Sequence, residues 1–266
     1  MSLVEPWDLV AEGYAAAAGA VTTPFAVRAA ELVKLDARSQ VIDVAAGPGA
    51  LTLEIAGRVA GVTAVDFSEQ MIEQLRVRTA QRGLSNVRTL QADGQALPLA
   101  DASFDAGFSL FGWMFFPDRA RGLAELYRVL RPGAGLVVSS WAPVDRAPLM
   151  AAMFGALHAA DETFVIPTYN PDSLENPERL TKELRAGNFE DVSVQAHTVT
   201  PAFDDVDTLW SRMTLSSAPL VSLRKRVGEE AWRERNEVAR NYLLKALGSG
   251  PINLSTSAWL GYGVRP

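Results

Sequence analysis

The sequence predicts an α/β fold in which a mostly parallel sheet is covered by helices on both faces. Between residues 40 and 141, short apolar runs alternate five times with segments of helical period, and the links between them are short. The runs are apolar almost throughout rather than at every second residue, as expected for strands buried on both faces. One run, Val41–Ala46, passes through Gly47-Pro48-Gly49 into a helical segment, a strand–turn–helix unit that bares backbone N–H groups at a helix start.

Taken in order, residues 6–34 carry apolar positions at helical spacing, and 40–46 form a buried strand. A short helix over 50–58 leads to a second strand, Gly61–Asp66. Ser68 is placed to cap a helix whose inner face holds Met71, Ile72 and Leu75 and which runs to about residue 82. Asn86–Ala92 and Phe104–Leu110 are the third and fourth strands. Asp118 opens a helix with Leu123, Leu126 and Leu130 on one face; Pro132-Gly133 breaks it, and Leu136–Trp141 is the fifth strand. Beyond Trp141 the regularity weakens. Residues 143–176 hold several prolines and no clean period, 177–187 read as a helix, and Val192–Phe203 alternates as a strand. Residues 205–247 are helical, and 257–264 form a last strand antiparallel to 192–203. The count is a seven-stranded, doubly wound sheet with helical insertions, in one domain spanning 1–266.

Composition narrows the function. The 266 residues are 48% hydrophobic and 21% charged, an ordinary balance for a chain with a sizeable core. Without cysteine, thiolate catalysis, disulfides and Cys-ligated zinc are excluded. The formal charge of −6 argues against a nucleic-acid partner. The start, MSLVEPWDLVAEGY, has no signal-peptide pattern, and no apolar run is long enough to span a bilayer, so a cytoplasmic location is expected. The oligomeric state is left open. His158 and His197 are the only histidines and make no metal-ligand spacing.

The chemistry concentrates at the strand ends. Asp43 ends the first strand, where ligands bind in open α/β sheets. A carboxylate there repels a dinucleotide's pyrophosphate and attracts the ammonium of an amino acid. The dinucleotide fingerprint is also incomplete, because Gly47 and Gly49 fit but Thr52 stands at the third glycine. Asp66 ends the second strand, where it can accept from two ribose hydroxyls or cap the helix at Ser68. Asp93-Gly94 ends the third; it can read an adenine edge or simply turn the chain.

The segments VIDVAAGPGALT, VTAVDFSEQMI, LQADGQALPLADASFD and FSLFGWMFFPDRARGLAELYRVLRPGAGLVVSSW together resemble class I S-adenosylmethionine-dependent methyltransferases, specifically the ubiquinone/menaquinone-biosynthesis-like (UbiE-like, type 11) group. The resemblance covers residues 40–141. It implies a Rossmann-like fold, S-adenosyl-L-methionine as cofactor and S-adenosyl-L-homocysteine as product. It also implies that Asp43, Ala45, Gly47 and Gly49 face the methionine part and that Asp66 holds the ribose. Phe67 and Met71 then flank the adenine, Asp93 and Gly94 read its edge, and Ser109 closes the methionine side; core packing explains Phe67 and Met71 as well, and a strand-end hydroxyl bonded to backbone explains Ser109. Ala45 and Ala134 stand where the group often has glycine.

The expected reaction is methyl transfer to a small, partly apolar acceptor at oxygen, nitrogen or carbon. The alternatives are an NAD(P)-linked oxidoreductase and a cofactor-binding protein without turnover. In-line displacement needs alignment and exclusion of water more than it needs catalytic groups. His158 and Tyr14 are the candidate catalytic side chains, and Phe111, Trp113 and Phe115 the candidate acceptor contacts, although packing accounts for each. On this reading 1–35 is a helical cap, 36–142 the cofactor-binding core, and 143–176 and 205–250 the lid that encloses an apolar acceptor chamber, with Trp210, Met213, Leu215 and Leu220 as candidate walls.

Overall fold

The computed structural model describes residues 4–266; residues 1–3 of the expected cap lie outside them. Two helices, α1 (Glu5–Ala17) and α2 (Gly19–Glu31), open the chain. They stand where one continuous helix over 6–34 was expected, and Ala18 is the joint between them. The core continues with β1 (Gln40–Val44), α3 (Thr52–Ile55), β2 (Gly61–Asp66), α4 (Glu69–Gln81), β3 (Val87–Gln91), β4 (Phe104–Ser109), α5 (Arg119–Val129) and β5 (Leu130–Trp141). Then come α6 (Pro148–Ala160), α7 (Pro177–Ala186), β6 (Glu190–Val199), a short β7 (Ala202–Phe203), α8 (Val206–Ser216), α9 (Ala218–Leu247), a short β8 (Ile252–Asn253) and β9 (Thr256–Val264).

Seven strands form one sheet in the order β3-β2-β1-β4-β5-β9-β6. The pairs from β3 to β5 are parallel, and β9 runs antiparallel to both β5 and β6. The order reverses at β1 and β4, and an open α/β sheet binds its ligand at such a reversal. Both sheet faces are buried. Val41, Val62, Ala106, Phe108 and Val137 pack under Ala26, Ala29, Leu51 and Ile55. Ile42, Val44, Val65 and Val138 pack on the other side, with Leu123, Leu126, Leu180 and Leu184.

The caps read at Ser68 and Asp118 form, and Asn176 adds a third that the sequence reading did not name. The Ser68 hydroxyl accepts from Met71 N–H at 3.1 Å, the Asp118 carboxylate from Arg121 N–H at 2.9 Å, and the Asn176 side chain from Glu178 N–H at 3.0 Å, each satisfying a free donor of a first helical turn. Two boundaries differ. β5 begins at Leu130, six residues before the expected start, because Leu130 pairs with Phe104 and the turn at Pro132-Gly133 is taken up as a bulge. Helix α6 lies in a stretch read as irregular. Its sequence, PLMAAMFGALHAA, is apolar nearly all round, so no period marks it.

Helices α6, α8 and α9 have their own core, built from Leu149, Met153, Leu157, Leu209, Trp210, Met213, Leu220 and Trp232. Helix α9 is kinked at Gly228, where φ is +80°. Helix α1 lies close against α8: a Cβ on Gly13 would sit 2.1 Å from the Leu215 carbonyl oxygen. That neighbour is backbone and cannot swing aside. Gly13→Ala should therefore push α1 off its seat and cost roughly 1–3 kcal/mol, read as a lower Tm in calorimetry.

Candidate active site

The C-terminal ends of β1, β2, β3 and β4 open onto a cavity of about 400 Å³, within the usual range for ligand sites. Asp43, Asp66 and Asp93 all line it, together with Ala45, Gly47, Gly94 and Gly112. Trp7 and Tyr14 from α1, and Phe67, Phe111, Phe115 and Phe116 from the strand-end loops, supply its aromatic wall. No lysine, arginine or histidine is among the described residues that line it.

Each carboxylate is held by the local chain. Asp43 is buried at the end of β1, and the Thr52 hydroxyl donates to its Oδ2 at 2.7 Å. Thr52, which breaks the dinucleotide fingerprint, thus serves this carboxylate. Burial is the main influence on Asp43 and pushes its pKa up to about 7; the Thr52 bonds oppose the rise and nearby Asp66 adds to it. Asp66 Oδ2 accepts from Gly47 N–H at 2.7 Å and its Oδ1 from Ser68 N–H at 2.9 Å. The carboxylate therefore ties the glycine turn after β1 to the tip of β2. Desolvation raises its pKa despite these bonds. Asp93 Oδ1 accepts from the Gln95 backbone N–H at 2.8 Å.

The turn after β1 uses left-handed backbone. Gly47 has φ +54°, and Gly49 has φ +89° with no room for a side chain, since a Cβ there would lie 2.3 Å from Leu75 Cδ1. Ala45 shares the conformation at φ +58°, which costs a non-glycine residue roughly 1–2 kcal/mol. Its methyl group occupies the space that Gly112 leaves: a Cβ on Gly112 would lie 2.2 Å from Ala45 Cβ. Phe111 is also left-handed, φ +58°. Its N–H donates to the Ser139 hydroxyl at 2.8 Å, and its ring stacks on Trp141 at 4.0 Å.

Residues 41–133 match the methyltransferase domain model. Over 168 residues the chain is 35% identical to a demethylmenaquinone methyltransferase of Deinococcus radiodurans, covering 56% of this chain and 67% of that protein. Over 180 residues it is 34% identical to a demethylmenaquinone methyltransferase of Thermus thermophilus, covering 61% of this chain and 79% of that one. The chain belongs to the class I S-adenosylmethionine-dependent methyltransferases, in the UbiE-like group. Its cofactor is S-adenosyl-L-methionine. The fold extends to a solved phosphoethanolamine N-methyltransferase of Haemonchus contortus in complex with phosphomonomethylethanolamine and S-adenosylhomocysteine, at a TM-score of 0.56 and 14% identity, covering 91% of this chain and 52% of that one.

The methyltransferase brings most of the residues singled out in its sequence to one cavity: Asp43, Ala45, Gly47, Asp66, Phe67, Met71, Asp93, Gly94, Phe111, Phe115 and Tyr14 line it. Others sit elsewhere. Gly49 lies behind the turn against Leu75 and Leu53. Ser109 is fully buried, and its hydroxyl has no hydrogen-bond partner among the described residues. Trp113 is also fully buried; its Nε1 donates to the Arg119 carbonyl at 2.8 Å, and its ring packs with Leu123 and Leu126. His158 is exposed on α6, with Nδ1 2.8 Å from the Phe164 carbonyl oxygen. His197 lies edge-on to Phe25 at 5.5 Å. Trp210, Met213 and Leu220 belong to the core between α6, α8 and α9, and the half-exposed Leu215 meets α1 through its backbone. Among the described residues no group of His, Cys, Asp and Glu is arranged to hold a metal, and no helix is long and apolar enough to cross a membrane.

Thr22 and Ala26 are among the lining residues that carried no sequence signal; Trp7 lies in the expected helical cap, and Phe116 follows Phe115 in the aromatic run after β4. The ring of Phe116 fills the space where a Cβ on Gly94 or Gly122 would stand.

Proposed function

We propose that the cavity seats the cofactor with its amino-acid end at Asp43 and the Gly47 turn, its ribose at Asp66 and its adenine by Asp93, Gly94, Phe67 and Met71. A small, partly apolar acceptor meets it beside Phe111 and Phe115. The observation that carries this reading is the convergence of three carboxylates on one enclosed space. The donor set suits the group: a desolvated carboxylate at Asp43 matches a primary ammonium, and the turn after β1 offers no side chain larger than a methyl group at Ala45, Ala46 or Gly47. When bound, S-adenosylmethionine supplies an electrophilic methyl group on a sulfonium.

The protein's own groups orient and shield. Helix α1 lays Trp7 and Tyr14 over the opening, with the Trp7 and Phe115 rings 5.3 Å apart. It is fastened there by the Ser68 hydroxyl, which donates to Asp8 at 2.5 Å. Desolvation, with Asp66 nearby, pushes the Tyr14 hydroxyl up to about 12, so at neutral pH it is a hydrogen-bond donor and not a base. The acceptor's nucleophilicity thus resides in the acceptor itself, and alignment with exclusion of water is the enzyme's contribution. Segments 143–176 and 205–250 contribute no residue to the cavity's described lining; as α6, α8 and α9 they build a core of their own, and α8 and α9 back the helix α1 that covers the site. The substrate named for the Deinococcus and Thermus relatives, demethylmenaquinone, is the first acceptor to try, because an aromatic wall suits a quinol ring.

Titration calorimetry with S-adenosylhomocysteine and with NADH tests the cofactor, and methyl transfer from labelled S-adenosylmethionine to reduced demethylmenaquinone and then to a metabolite extract tests turnover. Micromolar binding of S-adenosylhomocysteine with labelled product supports the proposal. Preference for NADH would favour the oxidoreductase reading, and binding without any labelled product the cofactor-binding one.

Asp43 gives a pH signature. Its folded pKa, about 7, lies above the ordinary 3.8. The folded protein therefore holds a proton that the unfolded chain releases, and the stability linked to it is lost as pH rises from 3.8 through 7. Asp43→Asn should raise the Tm of the ligand-free protein at pH 8 and leave it nearly unchanged at pH 4. An ammonium ligand selects the ionised form, so S-adenosylhomocysteine should bind wild type about tenfold more tightly at pH 8 than at pH 6, whereas Asp43→Asn should bind weakly with a flat profile.

A further inference from the structure

The cofactor cavity holds an unbalanced charge. Elsewhere in the fold, shielded carboxylates keep a cation: Asp161 takes Arg226 at 2.7 Å, and Glu183 takes Arg119 and Arg179, each at 2.7 Å. Asp43, Asp66 and Asp93 do not. Among the described residues none of the three is in an ion pair. Their hydrogen-bond donors are neutral: the Thr52 hydroxyl, the backbone N–H groups of Gly47, Ser68 and Gln95, and the Gln95 amide. A carboxylate withdrawn from water without a cation is costly. The positive charge that these three lack therefore comes from a ligand.

The two forms of the cofactor differ in what they bring. In S-adenosylhomocysteine the ammonium is cancelled by the ligand's own carboxylate, whereas S-adenosylmethionine adds a sulfonium that nothing in the ligand cancels. On the cofactor reading above, the sulfur joins the ribose to the amino-acid chain and so lies between Asp66 and Asp43. The bond from Gly47 N–H to Asp66, at 2.7 Å, closes that interval from below. Tyr14, whose hydroxyl feels the Asp66 charge, and Trp7 cover it from α1. The Trp7 ring is inclined at 81° to Tyr14 and at 57° to Phe115, so the cover is not one flat stack. Carboxylates and aromatic faces both attract a desolvated cation.

We propose that the site tells the two forms of its cofactor apart by charge, holding the sulfonium donor firmly and the thioether product weakly, so that product inhibition is slight. During transfer the acceptor's lone pair forms a bond to the methyl carbon. The carbon–sulfur bond breaks, and its electron pair stays on sulfur, which becomes neutral. The positive charge remains on a methylated nitrogen, or leaves as the proton of an oxygen or carbon acceptor. Asp43, Asp66 and Asp93 thereby lose the one cation that the ligand's carboxylate did not cancel, and the attraction falls at the moment release is needed. The inference rests on the cofactor reading above and is independent of which acceptor is used.

The test is titration calorimetry of the full chain, without acceptor, with four ligands: S-adenosylmethionine, S-adenosylhomocysteine, its neutral sulfoxide, and sinefungin, which carries an ammonium where the donor has its methylsulfonium. The two cationic ligands should bind about tenfold or more tightly than S-adenosylhomocysteine, and the sulfoxide should stay with the product. Asp66→Asn should narrow the donor-to-product ratio several-fold. Trp7→Leu, which keeps an apolar cover and removes the aromatic face, should weaken the donor several-fold and barely change the product. Both ligands are titrated on one sample, so any misfolded fraction cancels in the ratio. Product binding as tight as the donor, a sulfoxide that matches the donor, or a ratio unchanged in both variants would overturn the proposal while leaving the cofactor reading in place. If none of the four ligands binds, the cofactor reading itself falls, and this inference with it.

Discussion

Replacing Asp66 with alanine should weaken binding of S-adenosylhomocysteine tenfold or more and lower the Tm as well. The two effects have separate sources. In the ligand-free protein the carboxylate accepts from Gly47 N–H and Ser68 N–H, so its removal releases the glycine turn from the tip of β2 and strands two backbone donors. In the complex, the same oxygens have lone pairs left for ribose hydroxyls, and charge-assisted bonds of that kind are worth roughly 1.5–3 kcal/mol each. Asp66→Asn separates these contributions. It keeps the shape but only one acceptor oxygen and sets an amide NH2 against the other backbone donor, so it should fall between wild type and alanine in both affinity and Tm. Calorimetric titration beside thermal unfolding of the three proteins reads both numbers. Equal cofactor affinity in all three would remove Asp66 from the site.

Trp113→Ala should be the most destabilising change near the cavity, at about 3–5 kcal/mol, and for a chain of this size that lowers Tm by about 10 °C. The indole is fully buried between the end of β4 and α5, among Leu123 and Leu126, with its N–H satisfied by the Arg119 carbonyl. Truncation leaves a large void and an unpaired carbonyl. Phe115→Ala, two residues on, removes a half-exposed ring at the cavity mouth. It should barely change Tm but alter acceptor turnover. The contrast separates a packing aromatic from an acceptor contact within one strand-end loop. Equal losses of stability in the two variants would contradict it.

The parallel core was legible because its signals are local. Strands buried on both faces read as unbroken apolar runs, the caps at Ser68 and Asp118 announce their helices, and the Gly47 turn announces a ligand-facing helix start. The carboxylates at the strand tips followed directly, since a residue at the C-terminal end of a parallel strand has little choice of where to point. What stayed hidden depends on distant chain. Helix α6 has no polar face to mark a period, because α9 packs along it and the chain entering β9 meets its first turn, where Leu149 N–H donates to the Ser255 carbonyl. Trp113 and Phe115 cannot be told apart by type or spacing; a short 3₁₀ turn over Trp113–Phe115 sends one ring into the core and leaves the other at the cavity mouth. Trp7 lies in the segment read as the cap, but its entry into the cavity depends on α1 folding back across α4 and α8, an arrangement recorded in Gly13 and in the Asp8–Ser68 bond.

The central claim is that three carboxylates at neighbouring strand tips grip one cofactor. Crystallography of the protein with S-adenosylhomocysteine tests it most directly. The account predicts the ligand in the cavity at the ends of β1, β2, β3 and β4, with the Asp43 side of the site at its amino-acid end, Asp66 within about 2.5–3.2 Å of the ribose hydroxyls, and Asp93 at the adenine edge. A ligand bound elsewhere, or bound in this cavity with Asp43 and Asp66 both disengaged, would contradict it.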